Sequence, residues 1–299
     1  MRGAWLACVV LCSAAIHLSS AHAQVPLQSA PIVVRGVHDR DKQIRDFIHE
    51  MTPAPVRGQL SRFEAPVCPA VAGLAAQPAA LVIARIARVA SAAGLKIATK
   101  PCDANIILIV TNDKNALLKK LEKLRPEYFP PDWSTFEVHD LEHDPYPVAV
   151  WQFEGATWAD GRPIGNDIVA ATTDVMALQR TTEPQGRLHP SARHQFELAI
   201  VVVQRSALSG LTTTQLADYV AMRALVRTEP KYLDKNADTI LNIIDAPMGS
   251  AVPLTLTRWD LSFLKAFYAS GKNSYAEYQR AEMQQLMKAD LEQSEQTAF

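Results

Sequence analysis

The segment VHDLEHDPYPV sets His139, Glu142 and His143 in the pattern H-x-x-E-H. On a helix, histidines at i and i+4 share a face and can hold one zinc ion, with the glutamate as general base for a bound water. That chemistry needs an apolar back face to keep the ligands rigid. Only Val138 and Leu141 offer one here, and Pro145 and Pro147 follow at once. The segment therefore reads as a polar, proline-bounded surface connector, with His139 and His143 as its metal candidates. Two further starts fail on spacing. His49-Glu50 opens like H-E-x-x-H, but the fifth place is Pro53. Asp234, Asn236 and Asp238 open like a calcium loop, yet Thr239 stands where that loop needs glycine, and no glutamate closes it. Helix capping by Asp238 or Asn236 is the simpler reading there. The chain carries no G-x-S-x-G, S-x-x-K, phosphate-cradling or dinucleotide fingerprint.

Redox context and charge narrow the classes further. MRGAWLACVVLCSAAIHLSSAHAQ has a basic start at Arg2, an apolar run too short to span a bilayer, and the small-x-small signature Ala21-His22-Ala23. Residues 1–23 are thus expected to be a cleaved signal peptide and the remainder an exported protein, periplasmic or secreted, with no later membrane span. Cys8 and Cys12 leave with the signal, so Cys68 and Cys102 form the expected disulfide. Closing that loop contributes about 3–4 kcal/mol by the chain-entropy relation. With 30 Lys and Arg against 31 Asp and Glu, the chain lacks the electrostatic footprint of a nucleic-acid binder.

The elements that must position any site follow from periodicity. Ile44, Phe47 and Ile48 mark a short amphipathic helix ended by TPAPVRG; Val82, Ile86, Val89 and Ala93 mark a longer one, with Arg85 and Arg88 off that stripe and Gly94 as its stop. NIILIVT is a buried strand, and DKNALLKKLEKLRP the helix after it. VAVWQFEG alternates as a strand, with Val148, Val150 and Gln152 opposite Ala149, Trp151 and Phe153. HQFELAIVVVQ is a further strand, and from Thr212 the pattern turns helical. QLADYVAMRALV is apolar nearly all round, which predicts a core helix whose acid, Asp218, needs a partner; Arg187 or Arg193, both preceding the adjacent strand, would serve.

The run from ELAIVVVQ through QLADYVAMRALV and TILNIID to PLTLTRWDLSFLKAFY resembles the core of zincin-like domains, the metallopeptidase fold, over roughly Phe196 to Tyr268. Leu256, Thr257, Asp260, Leu264 and Tyr268 match the closing L-T-x-x-D-x-x-x-L-x-x-x-Y helix. The whole chain also resembles an uncharacterised exported bacterial family through FEAPVCPAVAGL and QLADYVAM. The resemblance implies a strand lying beside a helix that would carry H-E-x-x-H. Laid onto this chain, the two ligand positions fall at Ala217 and Ala221 and the base at Asp218, and alanine has no lone pair to give zinc. Thr257 and Asp260 also have a plain structural account as a helix capping box.

The sequence therefore predicts an α+β protein: a small N-terminal α/β layer with a disulfide over residues 24–146, and a zincin-like strand-plus-helices half over 147–299, the two possibly packed as one domain. The expected function is a non-catalytic binding or structural module of the cell envelope, without cofactor, whose partner is an envelope protein or the cell wall. The competing class is a secreted hydrolase, either zinc-dependent through His139, Glu142 and His143 or acting through a spatial cluster that no motif announces.

Overall fold

The computed structural model describes residues 37–53, 58–159, 161, 167–168, 177–178, 190–229, 232–247 and 249–296. The expected signal peptide and Arg187 lie outside them.

A mostly parallel five-stranded sheet organises the chain. Strand β2 (Pro69–Ala72), helix α2 (Ala76–Ala92) and strand β3 (Ile106–Thr111) form a β-α-β unit whose strands run parallel, Pro69 beside Ile106. Cys68 and Cys102 are bonded across the starts of β2 and β3, so the disulfide ties the approach to α2 to the approach to β3. Gly73, at the end of β2, has φ +82°, and a Cβ there would stand 1.9 Å from the Val110 carbonyl oxygen. Only glycine fits both demands.

The long strand β7 (Ala192–Gln204) is the axis of the sheet. Along one edge it pairs with β3, Ile106 beside Ala199, and nearer its start with the two-residue β1 (Arg62–Phe63). Along the other edge it pairs antiparallel with β4 (Val148–Trp158). Residues on both sides of position 146 thus share one sheet. A short hairpin, β5 (Asp167–Ile168) with β6 (Ala177–Leu178), stands apart from that sheet.

Helices cover both faces, as α/β layers require. The larger layer holds α1 (Val37–Met51), α2, α5 (Thr213–Leu225), α6 (Arg258–Ala269) and α7 (Ala276–Gln296), with Ile44, Ile86, Val201, Met222, Phe263 and Met283 in its core. The smaller layer holds α3 (Lys114–Leu124) and α4 (Thr135–His143) over Ala149, Trp151, Ile200 and Val202. Strand alternation in β4 divides its residues between the two cores as the sequence predicts, Val148 and Val150 on one side, Ala149, Trp151 and Phe153 on the other. The proline-rich connector is a strap on the smaller face: Phe129 stacks on Trp151 at 5.3 Å, and the indole N–H donates to the Tyr128 carbonyl at 2.8 Å.

One expected connector is a helix. HDLEH lies in α4, which begins with a capping box: the Ser134 hydroxyl accepts from the first turn, and Glu137 reaches back to the Ser134 N–H at 2.7 Å. At its other end the buried Lys114 ammonium donates to the Asp144 carbonyl at 2.6 Å. The prolines end this helix; they do not prevent it. Downstream, the expected cap at Asp238 or Asn236 falls instead to Thr239, whose hydroxyl accepts from Leu241 N–H, while Asp234 accepts from Asn236 N–H in a local turn. No described helix is long and apolar enough to cross a membrane.

Candidate functional site

Helix α5 carries the positions where a zinc motif would fall. Its start is a capping box, with the Thr212 hydroxyl accepting from Gln215 N–H and the Gln215 side chain accepting from Thr212 N–H. Every residue from Gln215 to Leu225 is buried, including Ala217 and Ala221 with no exposure at all. Asp218, also fully buried, is locked from two directions. Arg85 of α2 donates to both carboxylate oxygens, Nε to Oδ1 at 2.6 Å and Nη2 to Oδ2 at 3.0 Å. From the segment before α6, the Thr255 hydroxyl and the Leu256 N–H each donate to Oδ2 at 2.7 Å. Arg85 also donates to the Thr255 hydroxyl, and the neighbouring carboxylate raises the pKa of its guanidinium. Four hydrogen bonds thus converge on the carboxylate, three of them on Oδ2.

The partner of Asp218 is therefore Arg85, a residue the apolar stripe of α2 places off its core face. Arg193 is engaged elsewhere, its Nε donating to the Thr157 hydroxyl at 3.1 Å, with Glu64 4.0 Å away. Helices α2 and α5 pack against each other, which brings the Arg85 fork within reach.

The HDLEH residues divide across α4. His139 and His143 are exposed and stacked with ring centroids 3.9 Å apart, and His143 Nδ1 donates to the His139 carbonyl at 2.8 Å. Glu142 is only 7% exposed, and burial, then the nearby Glu122 carboxylate of α3, push its pKa up against the opposing pull of His143. Of the other near-motif residues, Glu50 accepts from Asp234 N–H at 3.1 Å, and burial lowers the pKa of His49. Among the described residues no three His, Cys, Asp or Glu are grouped to hold a metal ion.

A cleft of about 490 Å³ opens where α1, α5 and α6 end. Leu60, Phe196, Val226 and Phe267 give it an apolar lining, and Glu154 and Arg227 form an ion pair at 2.6 Å in its wall. The Arg227 guanidinium also lies 5.9 Å from the Phe196 ring centre. The pairing register of β4 shifts between Phe153 and Glu154, a bulge that re-aims the strand where Glu154 meets the cleft. Carbonyls at the ends of the surrounding helices are satisfied from within: Arg280 donates to Thr52 after α1, Tyr268 to Leu225 of α5 at 2.8 Å, and Arg62 to Ser270 after α6 at 2.9 Å. The sequence carries no local signal for this cleft, because its lining comes from five separate segments.

No family model matches this chain, and neither a curated protein nor a solved structure matches it.

Proposed function

We propose that this chain is an exported, non-catalytic binding module of the cell envelope, built on a zincin-like scaffold from which the metal site has been lost. The supporting observation is the state of α5: Ala217 and Ala221 are sealed in the core, and Asp218 is spent on Arg85, Thr255 and Leu256. An acid held by that many donors is a structural strut, not a general base. The cleft beside the Glu154–Arg227 pair is the binding surface, suited to an apolar group with an acidic end that meets Arg227.

One observation favours the second reading, a zinc-dependent hydrolase: His139, Glu142 and His143 do lie on a helix. The burial of Glu142 against α3 counts against it.

One experiment separates the two. The mature protein is incubated with zinc and with casein or a nitrophenyl ester, and its binding of the apolar sulfonate 1-anilinonaphthalene-8-sulfonate is measured by fluorescence. The expected result is no turnover and a dye signal weakened by Arg227→Glu. Turnover abolished by His139→Ala with His143→Ala would overturn the proposal in favour of the hydrolase.

A further inference from the structure

Arg223, in the last turn of α5, is only 6% exposed, yet its Nε and Nη1 have no hydrogen-bond partner. Tyr219 precedes it by one helical turn on the same face, fully buried, and its hydroxyl is likewise without a partner. Tyr146, in the connector before β4, brings a third group, a buried hydroxyl that closes no hydrogen bond of good geometry and lies near enough to the Tyr219 phenol for each to influence the other. Burial and then the Tyr219 phenol raise the pKa of Tyr146, and burial raises that of Tyr219, so both hydroxyls keep their protons and remain donors. None of these residues lines the cleft.

The backbone around this cluster is satisfied, which isolates the anomaly. Gln152 Nε2 donates to the Arg223 carbonyl at 3.1 Å, and the Val226 N–H closes the helix on Met222. What lacks partners is the side-chain set alone: two guanidinium N–H groups that can only donate, and two phenols that keep a proton to give. The charged neighbours felt by Tyr219 are Arg223, Asp245 and Lys235. Asp245 is committed to Lys235 at 2.5 Å, so one positive charge, that of Arg223, stands uncompensated. A guanidinium with two nitrogens out of water and no acceptor on either is costly, and native proteins meet that cost with an anion or with ordered water. Three donor groups converging with one excess positive charge match an acceptor that carries one negative charge and several lone pairs.

We infer that Arg223, Tyr219 and Tyr146 form a binding site for a small oxyanion, held by charge-assisted bonds from the guanidinium and by the two phenols. The site is independent of the cleft and of whether the scaffold is zincin-like. Carboxylates and inorganic oxyanions share the required chemistry.

The test is thermal unfolding of the mature protein at pH 7 and constant ionic strength, with chloride replaced stepwise by acetate in one arm and by inorganic phosphate in the other. At least one should raise the melting temperature saturably above the chloride control, and which one does so assigns the source. Arg223→Met should weaken that anion about tenfold to a hundredfold, and Tyr219→Phe about two- to tenfold, by the usual size of charged and neutral hydrogen bonds. If Arg223→Met does not fold, the Tyr219→Phe, Tyr146→Phe pair carries the comparison. A wild type indifferent to both anions, or a response unchanged in the variants, would overturn the site and leave ordered water as the partner of these donors.

Discussion

Removing Arg85 tests the strut on α5 most directly. In Arg85→Met the aliphatic stem is replaced at similar length, and Asp218 loses its two charge-assisted bonds of 2.6 and 3.0 Å. It keeps only the neutral donors Thr255 Oγ1 and Leu256 N, each at 2.7 Å. A fully buried carboxylate stripped of its counter-charge costs about 3–5 kcal/mol, and the two remaining donors place this one near the lower end, at about 3 kcal/mol. The reverse change is milder. In Asp218→Asn the Arg85 side chain, a quarter exposed, can turn to water, and the loss is about 1–2 kcal/mol. The double variant holds no buried charge, so it should be more stable than Arg85→Met alone. Urea unfolding of the four proteins at pH 7 gives the coupling, expected at about 2 kcal/mol. Costs that add to within about 0.5 kcal/mol would refute the claim that the pair acts as one unit.

Two further outcomes follow from buried and crowded positions. Asp260 is wholly buried, and burial lifts its pKa from 3.8 to about 6 against the opposing bonds from Thr239, Ile240 and Thr257. The folded state then holds this proton more tightly than the unfolded chain, so its contribution to stability falls as pH rises from about 4 to about 6 and is level above. Relative to Asp260→Asn, the wild type should lose on the order of 3 kcal/mol across that window in denaturant titrations; a flat difference would show that the carboxylate is not proton-loving. Gly73→Ala and Gly94→Ala form a matched pair, since both positions have positive φ but only Gly73 has a backbone carbonyl 1.9 Å from the new carbon. Gly94→Ala should cost about 1 kcal/mol and Gly73→Ala clearly more than 2 kcal/mol; equal melting temperatures would mean that the β2 turn yields freely.

Elements announced by their own periodicity were readable before the structure. The Val82, Ile86, Val89 stripe, the apolar run of β3, the alternation of β4 and the Thr257–Asp260 capping box all use neighbours within one or two turns. The paired cysteines were readable too, since the expected compartment left no other use for them. What escaped was decided at a distance or by a signal passed over. Ser134-x-x-Glu137 is a helix start as plain as Thr257-x-x-Asp260, and weighing it against the following prolines would have turned HDLEH from connector to helix. Arg85 meets Asp218 across more than a hundred residues, and no spacing along α2 reveals that an arginine off the apolar stripe reaches a buried acid. Arg223 and Tyr219 stand at helical spacing, but their meeting with Tyr146 is a property of two distant segments brought together.

The place of β7 has a consequence for how the chain acquires its shape. Strand β3 pairs on one side with β2, only a helix earlier, and on the other with β7, whose Ala199 lies beside Ile106. A chain delivered N-terminus first can therefore complete the β2–α2–β3 unit and its disulfide while the edge of β3 that receives β7 is still bare. That edge stays a template for any passing strand until residues 192–204 arrive, and β4, made in between, lacks its native partner until the same moment. The sheet can thus close only when β7 arrives, one strand docking β1, β3 and β4. The vulnerable interval is set by the length of chain between β3 and β7 rather than by the strength of any contact in the finished fold.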